Sequence, residues 1–394
     1  MESLPGSSKE TPAGNEDEAE LLYVDFSRTT ERVATGTDNG FTIYKIRNVQ
    51  QPAVMSQMFK RPFSKDQGRV VDDVILIECF NPIQMFAMVL KKYPRTLHFF
   101  DASRNTSTGH HLFPEKILSV KGCSSIIAVG LETEVHAFSI CRSNFESLDG
   151  YSRLVKLSLP LNCSAVMDMT GEERPHLAYP DSDTNGIVAV HDIDSRSYPK
   201  RVMNAHNHPI AALRFNDEAT LLATASTIAT VVRVHDVRKN ECLFVFRRGI
   251  ARSVTVHSMA FSSDSVFLCL SSNTETVHVF KLEGPLPKVL QLEEEVALKT
   301  KPISYNAEPP GWYDYLADTT RSAAEYLAPA RDFASAFLPE TAKRNVATLR
   351  MIDDKLHILV ANSKKKFFVF EVQAEGGTAL LKHELRLPAT VLIN

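Results

Sequence analysis

Two adjacent arginines at the end of an apolar run are the residues of this chain best suited to chemistry. Cys242-Leu243-Phe244-Val245-Phe246 leads directly into Arg247, Arg248 and Gly249. Successive side chains on a strand point to opposite faces. Arg247 and Arg248 are therefore expected to enter two different clefts. A guanidinium is a planar fork that matches phosphate oxygens, so one fork on each face predicts two separate anion sites, not a single clamp. The flanking segments are rich in hydroxyls and poor in acids: Thr224, Ser226, Thr227 and Thr230 on one side, Ser271, Ser272, Thr274 and Thr276 on the other. Hydroxyls and histidine donors complete a phosphate site, whereas carboxylates repel one. The competing reading pairs each arginine with a buried acid and makes both purely structural.

Other chemistry finds little support. Thr35 to Gly40 (TGTDNG) carries two glycines, but within a strand–turn–strand pattern. A dinucleotide loop needs a strand leading into a helix, so this stretch predicts a hairpin turn. His206 and His208 flank Asn207 with no partner at metal-ligand spacing, which gives a pair of loop-end histidines and no metal site. No Walker loop, G-x-S-x-G or H-E-x-x-H occurs, and no catalytic pair, cofactor or enzyme activity is expected. With 44 Lys+Arg against 47 Asp+Glu, the net charge of −3 removes any global field for nucleic acid, so anion binding must be local. No apolar run approaches the ~18 residues of a membrane span, and residues 1–20 lack the apolar core of a signal peptide. The cysteines Cys79, Cys123, Cys141, Cys163, Cys242 and Cys269 are scattered without a C-x-x-C, and are expected to be reduced, mostly buried thiols of a cytosolic protein.

The element that must position the arginines is a repeat of short strands and polar turns. Copies start at Leu21, Asp73, Lys116, Ile210, Val256 and Asn345, with a weaker one from about Cys163 to Ile193. From residue 21 to residue 256 the repeats advance by about 47 residues each. Strand repeats of ~40–50 residues indicate propeller blades, since a ring of sheets buries both faces of each. Phe100-Asp101, His191-Asp192 and His235-Asp236 look like degenerate Trp-Asp dipeptides, although the chain has a single Trp. The expected fold is all-β: a seven-bladed β-propeller of WD-repeat type over 21–394, preceded by a disordered acidic tail at 1–20. The last step is 89 residues, not 47, so an insertion falls in blade six at about 283–344. There Trp312, Leu316, Ala323, Tyr326, Ala330, Phe333 and Phe337 recur at helical steps, with Pro329 as a break. A long loop carrying an amphipathic helix is expected.

Phe246-Arg247-Arg248-Gly249 followed by SSNTETVHVFKL resembles the signature of the PROPPIN family, the seven-bladed phosphoinositide-binding propellers, and most closely its WIPI branch, which acts in autophagy. The strong match spans about 200–283. The N-terminal half agrees in repeat layout. The resemblance implies a first head-group site joining Arg247 to His206, Thr224, Ser226, Thr230 and Arg233. It implies a second joining Arg248 to Ser272, Thr276 and His278. It implies a non-enzymatic, monomeric effector of phosphatidylinositol 3-phosphate and 3,5-bisphosphate, cytoplasmic and peripheral on phagophore and endosomal membranes. Lipid-transfer or conjugation proteins of autophagy are the implied partners. Trp312, Tyr326, Phe333 and Phe337 would insert into the membrane. The segment from Trp312 to Leu338 has four acids against two bases, so insertion is expected only after the head groups dock. Two departures stand out. Ile228-Ala229 replaces the family's Lys-Gly, which implies a narrower first pocket. Lys121 is the single base where partner-recruiting members carry several, which argues against a partner groove there. The alternative remains a soluble scaffold that binds peptides on its rim.

Overall fold

The computed structural model describes residues 21–38, 40–46, 55–62, 73–80, 85–101, 106–123, 126–139, 153–170, 175–193, 200–248, 254–283 and 331–387. The tail at 1–20, Gly249, Trp312 and Tyr326 lie outside them. Blade one is β1 (Tyr23–Phe26), β2 (Arg32–Thr37), β3 (Gly40–Ile46) and β4 (Met55–Pro62). Blade two is β5 (Val74–Phe80), β6 (Met85–Leu90), β7 (Tyr93–Asp101) and β8 (Thr106–Leu112). Blade three is β9 (Ser119–Gly122), β10 (Ile126–Gly130), β11 (Glu134–Ser139) and β12 (Arg153–Ser158). Blade four is β13 (Asp168–Thr170), β14 (His176–Pro180), β15 (Gly186–Asp192) and β16 (Lys200–His206). Blade five is β17 (Ile210–Phe215), β18 (Leu221–Ser226), β19 (Val231–Asp236) and β20 (Glu241–Arg247). Blade six is β21 (Val256–Phe261), β22 (Phe267–Ser272), β23 (Thr276–Lys281) and β24 (Ala334–Phe337), with the two-residue β28 (Gly377–Thr378) added to its edge. Blade seven is β25 (Asn345–Ile352), β26 (Lys355–Asn362), β27 (Lys366–Glu371) and β29 (Leu380–Arg386).

The fold is an all-β, seven-bladed propeller. Each blade is an antiparallel meander, and seven apolar clusters fill the seven interfaces between neighbours. This explains the continuous apolar runs: β6 and β10 are buried at every position because both faces meet another blade. Thr35 to Gly40 forms the β2–β3 hairpin, with Gly40 at φ 128. The ring closes without exchanging a strand. Blade seven takes its four antiparallel strands from one stretch of chain, and β1 packs on β25.

The insertion enters blade six between its third and fourth strands, and its described end corrects the expected helix. Residues 334–337 are a strand, paired with β23 through Thr276↔Phe337 and Val279↔Ala334. Phe333 is partly buried against the blade six–seven cluster, 5.5 Å from the Phe267 ring. Phe337 is 57% exposed.

At the axis, the turn after β1 sends Arg28 across the channel. Its Nη1 donates to Asp168 of blade four at 3.2 Å and its Nη2 to the Phe215 carbonyl of blade five at 2.9 Å. Burial acts to raise the Asp168 carboxyl, but Arg28 and Arg214 hold it below the usual range. Lys121 also faces this channel, beside Asp168 and Glu78, and so is not on a rim groove.

Candidate functional site

Blade five has two faces, and the packing clusters say which neighbour each one meets. Leu222 belongs to the cluster shared with blade four, and Ala223, Ala225, Val232, Val234 and Phe246 to the cluster shared with blade six. Alternation then places Thr224, Ser226 and Arg233 toward blade four. Arg247 lies opposite Val231, two residues from Arg233, and shares that face. Arg248 follows Phe246 by two residues and takes the blade-six face, its N–H donating to the Thr230 carbonyl at 3.0 Å. The pair is thus divided between two inter-blade clefts. Arg247 is exposed at its mouth, while Arg248 is half-buried, with burial lowering its pKa.

On the blade-four side, a cavity of about 180 Å³ is lined by His206, Asn207, His208, Ser226, Ile228, Thr230, Val231 and Arg233. That is smaller than the ~300–1,000 Å³ typical of sites that enclose a whole small molecule, and suits one phosphate-bearing group. No carboxylate is among its lining residues. Arg233 is fixed by donating from Nη1 to the Ala205 carbonyl at 2.7 Å. Gly186 lets β15 and β16 approach here, since a Cβ would lie 2.3 Å from the His206 carbonyl oxygen. Thr224 is fully buried behind the cavity. Its Oγ1 contacts His206 Nε2 at 2.9 Å and His235 Nε2 at 3.3 Å. Burial, aided by Arg233, lowers His206 to about 4, and burial lowers His235 to about 3. Ala229 sits at φ 51, in the left-handed region that favours glycine, and Ile228 forms part of the wall.

On the blade-six side, Leu268, Leu270 and Phe280 face blade five, as shown by the Phe246–Phe280 ring contact at 4.8 Å. Ser272, Thr276 and His278 follow the same parity, so they form the wall opposite Arg248. Ser272 Oγ lies 2.9 Å from Thr274 Oγ1. His278 Nδ1 lies 2.8 Å from the Asp332 carboxylate, an acid that the expected hydroxyl-rich site did not include. Phe337, opposite Thr276 on the next strand, borders this cleft. Among the described residues no group of three His, Cys, Asp or Glu could hold a metal ion.

Sequence reasoning missed His235 and Asp332. The first was absorbed into a degenerate dipeptide. The second lies 54 residues from its partner across the insertion. A PROPPIN family model matches residues 21–386. The chain belongs to the PROPPIN family. Among its relatives, autophagy-related protein 18 of Caenorhabditis elegans is 29% identical, over 91% of this chain and 83% of that protein. Human WD repeat domain phosphoinositide-interacting protein 1 is 28% identical, over 95% of this chain and 78% of that one. The fold is similar to that of Kluyveromyces lactis Hsv2 solved with its complete loop 6CD, with a TM-score of 0.69 at 15% identity, covering 94% and 99% of the two chains. No helix among the described residues is long and apolar enough to cross a membrane.

Proposed function

We propose that this PROPPIN is a non-enzymatic effector of phosphatidylinositol 3-phosphate and phosphatidylinositol 3,5-bisphosphate. It would be recruited from the cytoplasm to phagophore and endosomal membranes to support autophagosome formation. The observation that carries this reading is the carboxylate-free cavity between blades four and five, with Arg233, Ser226, Thr230 and His206 in its wall and Arg247 on its face. Arg248 with Ser272, Thr276 and His278 forms the second candidate site. Two modest sites on one rigid rim act through effective concentration, so neither needs high affinity alone. The relatives named as autophagy-related and phosphoinositide-interacting support the assignment, and proteins of the autophagy machinery would be its partners.

The test replaces Arg247 and Arg248 by Thr, singly and together. Flotation with vesicles carrying each phosphoinositide and melting temperature are then read on the same samples. Hydrogen bonds to a charged group contribute ~1.5–3 kcal/mol, so each single change should weaken one site roughly ten- to a hundredfold. The double variant should stay folded and stay off the vesicles. A peptide-binding scaffold with structural arginines gives the reverse: melting temperature falls, and no wild-type preference for 3-phosphorylated vesicles exists.

A further inference from the structure

The histidine in the first cavity has a buried hydrogen-bond chain behind it. We infer that His235 and Thr224 are positioning residues that set the polarity of His206, so that a neutral imidazole presents an Nδ1–H donor to a phosphate monoester. This rests on the lipid reading above for the identity of the phosphate, but not for the chain itself.

Thr224 Oγ1 has three polar neighbours: His206 Nε2 at 2.9 Å, His235 Nε2 at 3.3 Å and the Arg233 carbonyl oxygen at 3.4 Å. A hydroxyl has one proton to donate and two lone pairs to accept with. The carbonyl at 3.4 Å is near the limit of a hydrogen bond, so the proton goes to one of the two rings, and of these two polarities only donation to His206 leaves a ring proton for the cavity; that is the polarity inferred. Thr224 Oγ1–H then donates to His206 Nε2, and His235 Nε2–H donates to Thr224 Oγ1. His206 Nε2 being the acceptor, its single ring proton must sit on Nδ1. His206 lines the cavity, so Nδ1 is the nitrogen left for a ligand.

The opposite polarity would aim a lone pair at an anion. The charged and titratable groups acting on His206 are Arg233, His208 and, through Thr224, His235. Burial and Arg233 both oppose a second proton on His206 and outweigh the Thr224 backbone, whose hydrogen bond favours one. A neutral donor is therefore what the unliganded cavity offers near pH 7. Ligand affinity should then follow the phosphate's own second ionisation, near pH ~6. It should rise with pH from about 5.5 to 7 and then level off.

The tautomer is read by nitrogen-15 NMR on lipid-free protein with labelled histidine. The expected wild-type result is a neutral His206 protonated at Nδ1. Thr224→Val should abolish this preference, Thr224→Ser should keep it, and His235→Phe should reduce it. Melting temperatures confirm that each variant is folded. An Nε2–H tautomer or an imidazolium at pH 7 overturns the inference. In the second arm, phosphatidylcholine vesicles carrying phosphatidylinositol 3-phosphate are titrated across pH 5.5–8. One neutral hydrogen bond predicts roughly three- to tenfold weaker binding for Thr224→Val, with Thr224→Ser close to wild type. Affinity that climbs as pH falls would show that His206 must be protonated, and also overturns it. Wild-type protein that shows the Nδ1–H tautomer but binds no vesicle defeats the lipid reading and leaves the positioning chain standing.

Discussion

At the scale of single residues, each candidate site carries one group that works against an anion. In the first it is Ile228, an apolar side chain in the cavity wall, at the position where the family resemblance implies a lysine. Ile228→Lys should bring a cation to the mouth and strengthen vesicle binding several-fold at low salt. The gain should shrink as salt screens it, which flotation at two ionic strengths would reveal. In the second it is Asp332, whose carboxylate already occupies His278 Nδ1 at 2.8 Å. An arriving phosphate meets this like charge. Asp332→Asn keeps the shape and removes the charge, so binding through the second site should tighten. The cleanest reading is in an Arg247→Thr background, where the first site is crippled, and unchanged affinity there would mean that Asp332 swings away. The division of Arg247 and Arg248 between two faces was legible in the sequence, because strand alternation sorts them, whereas the hydroxyls of each cleft were picked out from the flanking ones only through the family resemblance. Asp332 was not, since nothing in a linear pattern brings it to His278 across the insertion.

At the scale of elements, blade six carries the segment proposed to touch the membrane. Phe333 and Phe337 are four residues apart, a spacing that fits a helical turn but also arises where a side chain just before a strand packs on one side of the blade and the strand's last residue faces the other. That ambiguity is why the periodicity read as helix through Phe337, although its last residues are the outer strand of the blade. Phe333 is held by the Phe267 ring and by the Lys281 ammonium 5.7 Å from its centroid. Phe337 is left exposed beside Thr276. Because β23 and β24 pair directly, replacing 284–330 with a short Gly/Ser linker should preserve the propeller. Extending the deletion through 342 would remove β24 and destabilise it. In the linker variant, Phe337→Ser should lower vesicle binding further with a stability change within about 0.5 kcal/mol, as for exposed sites generally. Equal binding by the two proteins would show that Phe337 stays in water.

At the scale of the whole molecule, blade number and order followed from the 47-residue repeat, because each blade is one local meander. The axial ion pairs did not, since Arg28 meets Asp168 and Phe215 only once the ring is closed. Buried titratable groups make that ring sensitive to acid. Burial holds His206, His235 and His257 at about 4, 3 and 4, below the ~6.5 of a free imidazole. The unfolded chain takes up these protons from about pH 6.5 downward while the folded chain resists. Stability that is full above that pH is lost as it falls toward 4. Glu78 acts the other way: burial raises it to about 7 from 4.5, so its cost is present above pH 7 and relieved on acidification. Three imidazoles against one carboxyl predict a melting temperature that declines below about pH 6. Glu78→Gln should raise stability at pH 8 and steepen the acid decline, as a pH series of melting curves would show. The closure of the ring has a topological consequence. Leu21 N donates to the Ser363 carbonyl and Leu387 N to the Lys365 carbonyl, both at 2.7 Å, so the first and last described residues dock on one hairpin. No antiparallel blade is shared between the two ends of the ring. The order in which the blades are synthesised is therefore not written into their geometry. A circular permutant that joins 387 to 21 through a short linker and opens at the exposed turn 182–185 should fold to the same ring and bind the same vesicles. Failure of that permutant would mean that the seam between blades seven and one must form in a set sequence, and is more than a place where two ends meet.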